Sequence, residues 1–177
     1  MSAPRATPSA LALSSDAEKA AILDEFVAAD DELEDRADRA ARARLAQVET
    51  DDVANAVATA LLALDQEDLA ANAGRTCYGY VEPTEAAWSL LEAAIEPWLE
   101  DITRRASLGL PAAACRLGIG ILEALERISQ HTRDDDLLVS WAPDFAAETA
   151  DRVTQVLADA GIDATDADVA RLTDGLI

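Results

Sequence analysis

Apolar residues recur along this chain at intervals of three and four, the spacing of one face of an α-helix, and alternating stretches of strand type are nearly absent. Ser15 followed by Glu18 has the spacing of a capping box and predicts a first helix, with Ile22/Phe26 and Leu23/Val27 as i, i+4 pairs behind it. A second helix is expected from about Asp31 to Gln47, striped by Leu33, Ala37, Ala41 and Leu45. Its other face carries Glu34, Asp38, Arg39 and Arg42, so that Glu34–Asp38 repel while Asp38–Arg42 attract. Thr50 reads as the cap of a third helix, Asp51–Leu64, with Val53, Val57, Leu61 and Leu64 in one stripe. A short helical turn, Glu67–Asn72, should end at Gly74.

The segment from Arg75 to Pro83 has two tyrosines, Gly79 and no helical period, and reads as a connecting loop. A long helix should begin near Pro83, where a missing N–H costs nothing, and run through Trp88, Leu91, Ile95, Trp98 or Leu99, and Ile102 to about Leu108. Pro97 should kink this helix without ending it, because the apolar stripe resumes directly. Gly109 stops it and Pro111 starts the next helix, Ala112–Gln130, striped by Cys115, Ile119, Leu122, Leu125 and Ile128. So short a break forces the two to run antiparallel, an αα-hairpin. After the charged break Thr132–Asp136 comes a short apolar segment, Leu137–Trp141, then a helix Phe145–Ala160 capped by Asp144 and closed by Gly161, and a last short helix from Thr165 to about Gly175. The fold expected is all-α: six to eight helices in antiparallel hairpins, a bundle or short α-solenoid of tetratricopeptide or HEAT type. Residues 1–14 would form a loose arm and residues 15–177 one helical domain. Trp88-x-x-Leu91 begins like a tetratricopeptide repeat, but Glu92 stands where glycine is expected and no 34-residue period follows.

Charge changes this picture most. The chain of 177 residues carries 35 acids against 14 bases, a net charge of −21. Lys19 is the only lysine, a balance that suits either a GC-rich genome or adaptation to high internal salt. So acidic a surface repels nucleic-acid phosphates and anionic lipid, which argues against direct nucleic-acid binding and for a basic partner or an uncharged one. No apolar run approaches the roughly 18 residues of a membrane span, and the opening residues lack the pattern of a secretory signal. Two distant cysteines, Cys77 and Cys115, without a C-x-x-C, fit two thiols in a reducing cytoplasm, although a single bridge between them stays open.

The runs Gly79–Trp88 and Ala94–Ile102 with Gly109, and later Leu137–Phe145, resemble a helical region that accompanies bacterial SWIM-type zinc fingers and occurs in free-standing relatives of unknown function. The likeness spans roughly Ile22–Ala160. It implies an α-hairpin stack serving as an interaction platform, with no catalytic residues to carry over. The finger itself, a C-x-C with a later C-x-H, is absent, since neither cysteine has a neighbour at that spacing.

Candidate chemistry is sparse. His131 is the only histidine, so any histidine-dependent nucleophilic arrangement must use it. Asp134, Asp135 and Asp136 beside it could suit a hard cation, but they read better as a solvated loop. Asp159, Asp163, Asp166 and Asp168 miss the calcium-loop register, and Gly118-Ile-Gly120 lies within a helix, where it marks close helix–helix approach better than a phosphate loop. No metal, cofactor or catalytic residue is therefore expected. From Ile102 to Arg133 five arginines face two acids, whereas Glu82–Asp101 holds six acids and no base. A surface so polarised could dock a carboxylate-bearing partner or a second copy, with Arg104, Arg105 and Arg116 as contacts; alternatively the arginines pair with acids of their own chain. Tyr78 and Tyr80 could flank a groove, while Trp88 and Trp98 read as core. The function expected is a cytoplasmic, non-enzymatic protein–protein interaction or scaffold module, self-association included. The alternative is an acidic mimic of nucleic acid that occludes a basic partner.

Overall fold

A computed structural model describes residues 14–76, 79–131 and 137–162. It is all-α apart from one small ladder. Among the described residues the helices are α1 (Asp16–Ala29), α2 (Asp31–Leu45), α3 (Thr50–Leu62), α4 (Gln66–Asn72), α5 (Pro83–Ser107), α6 (Pro111–His131), α7 (Leu137–Trp141) and α8 (Phe145–Asp159). The expected helix from Thr165 to Gly175 lies outside the described residues. Two compact units emerge, Met1–Arg44 and Leu45–Ile177, divided at the end of α2; the expected arm, apart from Ser14, lies outside the described residues.

In the second unit, α6 is the central element and packs against α3, α5 and α8. Its buried face comprises Ala113, Ala114, Leu117, Ile121, Leu122, Ala124, Leu125 and Ile128. Cys115 and Ile119 of the expected stripe are only half-buried, because a helix with neighbours on three sides buries more of its circumference than a single stripe. Facing it are Val53, Ala54, Val57 and Leu61 of α3, Leu91, Ile95, Leu99 and Ile102 of α5, and Phe145, Ala150, Val153 and Leu157 of α8. The pair Gly118-x-Gly120 marks close packing, as expected. A Cβ on Gly118 would stand 2.8 Å from Leu157, and one on Gly120 would stand 2.7 Å from the Cβ of Val53 and 2.9 Å from the Thr50 carbonyl oxygen.

The αα-hairpin forms as the sequence predicts. Helix α5 continues through Pro97, and Pro83 occupies its first turn. At its end Gly109 adopts φ +73°, a conformation that side chains disfavour, and Leu110 N–H donates to the Arg105 carbonyl at 3.0 Å, closing the turn. A smaller cluster of Leu69, Ala86, Ala87 and Leu137, with Val81 and Trp141 against it, joins α4, α7 and the start of α5.

Several local expectations differ from the structure. Residues 75–83 are not simply a loop: β1 (Gly74–Thr76) and β2 (Gly79–Val81) pair antiparallel with Arg75 opposite Tyr80. Three-residue strands are too short to show a period of two, and the glycines at their ends, Gly74 and Gly79, take positive φ. Thr50 is the first residue of α3 and Glu49 its N-cap, without a side-chain capping bond; Asp144 likewise precedes α8 without one. Helix α4 instead has a capping box between Asp65 and Asp68.

The first unit has a different character. Ser15 and Glu18 form the predicted capping box, with Ser15 N–H donating to Glu18 Oε2 at 2.7 Å. A single residue, Asp30, separates α1 from α2; its carboxylate accepts from the N–H groups of Glu32 and Leu33. Asp38 and Arg42 pair at 2.7 Å, as their spacing predicts. Neither helix buries a residue.

Candidate interaction surface

Of the residues the sequence singles out, Arg104 and Arg105 stand in the last turn of α5. Both converge on one carboxylate. Arg104 reaches Asp101 Oδ1 at 2.5 Å, and Arg105 Nε reaches Asp101 Oδ2 at 2.9 Å. Arg105, with its side chain only 13% exposed, also donates to the Leu45 carbonyl, which anchors the start of the second unit. Their position suits the negative end of the helix dipole. Arg127 bridges from α6 to α3, meeting Asp51 at 2.7 Å, Asn55 at 3.1 Å and Glu123 at 3.2 Å. Arg152 of α8 pairs with Glu96 of α5 at 2.5 Å. The arginine-rich stretch is thus largely engaged with acids of its own chain, the second of the two readings open from sequence. Arg116 is exposed on α6.

Tyr80 is 63% exposed on β2, while its neighbour Val81 packs inward. Helix α5 extends about 37 Å at 1.5 Å per residue, so the tyrosine at its start and Arg104 and Arg105 at its end do not form one site. Tyr78 lies outside the described residues, as do Cys77, Arg133 and Asp134–Asp136; α6 ends at His131. Trp88 and Trp98 are half-buried against the core, Trp88 meeting Phe145 edge-on at 5.4 Å between ring centres. Trp98 also lines a shallow groove of about 420 Å³ with Pro97, Glu100, Asp101 and Arg104. A second groove, about 460 Å³, lies between the ends of α5 and α8, lined by Thr103, Ala106, Ser107, Val156, Asp159 and Ala160. Among the described residues no cluster of three metal-ligating side chains occurs, and no helix is long and apolar enough to cross a membrane.

The surface that sequence reasoning missed is in the first unit. Leu23 and Phe26 of α1 are 56% and 60% exposed; among the described residues Leu62 and Tyr80, in the second unit, are the other large apolar side chains so exposed. With Val27 of α1 and Leu33, Arg36 and Ala37 of α2 they line a notch of about 400 Å³ between the two helices. The i, i+4 pairs Ile22/Phe26 and Leu23/Val27 suggest a buried stripe, but α2, with only Leu33 and Leu45 as larger apolar residues, offers too little to cover it. That imbalance is the signal by which the surface could have been found. Glu18 has its carboxyl held below the ordinary 4.5 by the hydrogen bonds from the Ser15 backbone N–H and hydroxyl.

The fold and this surface together define an acidic, all-α helical protein with a closed apolar body and an open apolar notch. No family model matches the chain, and no curated protein or solved structure is significantly similar to it.

Proposed function

We propose that the protein is a non-enzymatic helical interaction or scaffold module, in which the Leu45–Ile162 bundle is the stable platform and the α1–α2 unit presents the contact surface. One observation carries the reading. Leu23 and Phe26 stand in solvent on a helix that buries no residue of its own, and apolar surface left open beside charged rims is characteristic of contact sites. Tyr80 offers a second, smaller contact point. The net charge of −21 selects against nucleic acid and anionic lipid as ligands.

The test is capture from a lysate of the source organism with the full chain as bait, washed at low and at high salt. The control bait carries Leu23→Asp and Phe26→Asp. Partners, a second copy of the chain included, that survive high salt on the wild-type bait alone support the reading. Equal capture by both baits removes the notch from it. Salt-labile basic nucleic-acid-binding proteins held equally by both would favour the acidic mimic instead.

A further inference from the structure

Helix α2 has an unusual order of charge. Asp30–Asp35 contains five acids and no base, whereas Arg36–Arg44 contains four arginines and one acid. About Ala37 the order is antisymmetric. Arg44 mirrors Asp30, Arg42 mirrors Glu32, Arg39 mirrors Asp35, and Arg36 mirrors Asp38; at 100° per residue Asp30 and Arg44 lie within about 20° of the Ala37 line and Arg36 and Asp38 at its edges, so these two pairs are the ones that would meet across the seam. A second α2 laid antiparallel, centred on Ala37, would set the acidic half of each helix beside the basic half of the other; a parallel copy would set like against like. The same operation brings Leu33 against Ala41, large against small. The stripe Leu33–Ala37–Ala41 is flanked by Glu34 and Arg44 at 100° per residue, and its first two members line the notch that Leu23, Phe26 and Val27 leave open. Asp24 and Glu25, beside the Leu23–Val27 edge of the notch, add to the negative surface that the arginine half of an incoming α2 would meet.

We propose that the occupant of the notch is a second copy of this chain: two α1–α2 units clasp with their α2 helices antiparallel, each notch receiving the other's α2. The inference rests on the reading of the protein as an interaction module and names its partner. Burial of Phe26 and Leu23 supplies the attraction, and the antisymmetric charge selects orientation and register over other pairings.

Sedimentation equilibrium of the full chain, from about 1 to 200 µM as suits a modest interface, tests it. The expected species at the upper end has twice the 18.7 kDa chain mass. Phe26→Asp should raise the dimer dissociation constant at least ~30-fold, as for a central apolar anchor. A chain with Asp30→Arg and Asp38→Arg, and another with Arg36→Glu and Arg44→Glu, should each self-associate roughly 10-fold more weakly, yet pair with one another when mixed. A wild-type chain that stays monomeric throughout overturns the inference, as does a dimer indifferent to Phe26→Asp and to charge reversal. A monomer whose lysate partners are nevertheless lost with Leu23→Asp and Phe26→Asp assigns the notch to a different protein; that refutes self-pairing and leaves the interaction reading standing. Unchanged mass together with unchanged capture refutes both.

Discussion

Helices α2 and α8 are each 15 residues long, and each contains four alanines. Helix α8 buries Phe145, Thr149, Ala150, Val153 and Leu157, while α2 buries nothing. The difference lies in what fills the remaining positions: nine charged residues in α2, four in α8. Both form helices, because alanine and long charged residues favour the helical backbone wherever they stand. Only α8 has the large side chains to join a core and neighbours with matching faces to receive them. Helix α1 sharpens the contrast, since it carries large apolar residues of the kind α8 uses and leaves Leu23 and Phe26 in solvent. Local propensity is enough to make a helix; burial requires a partner surface.

The largest effect that would test this contrast comes from the body. Leu122→Ala, at a fully buried position of α6, is expected to cost about 2–5 kcal/mol in denaturant unfolding. Leu23→Ala on α1 should change the same measurement by less than about 0.5 kcal/mol. Equal effects would erase the distinction between the regions. Next in size is Gly120→Ala, whose new Cβ meets Val53 and the Thr50 carbonyl; overpacking of this kind costs about 1–3 kcal/mol. Gly118→Ala should cost less, because the Leu157 side chain it meets can rotate away. Asp101→Asn, which removes the carboxylate shared by Arg104 and Arg105, should lower stability by about 1 kcal/mol. Arg104→Ala alone should do less, its side chain being 56% exposed.

The smallest effect concerns pH and falls on α1. Glu18 has its folded-state pKa lowered by Ser15. Its stabilisation is therefore present above the ordinary value of 4.5 and is lost as pH falls through the lower folded value. Hydrogen exchange at the first-turn amides of α1 should quicken in that acid range, and Ser15→Ala should produce the same quickening at neutral pH. Amides of α6 should be indifferent to both. Protection in α1 equal to that in α6 at pH 7 would contradict the division into two units.

Much of the architecture is written in local signals. The capping box at Ser15, the proline starts of α5 and α6, the Gly109 turn, and the periodic stripes of α3 and α5 each depend on residues within a turn or two of one another. Chemistry at that range is legible from order alone. The spacing of Gly118 and Gly120 indicated a close approach in the same way, although the helices that make it, α8 and α3, emerged only from the packed bundle. The pairing of β1 with β2 was hidden because three-residue strands leave no periodic trace.

What tertiary structure alone decided is which faces are covered and which charges are spent. Whether Arg104 and Arg105 present a basic surface or bind Asp101 and the Leu45 carbonyl depends on side chains brought together by folding. The i, i+4 apolar pairs of α1 look the same in sequence whether a neighbouring helix covers them or solvent does. A stripe records what a helix can bury. The distance to another apolar surface determines what it does bury, and that distance is a property of the whole chain.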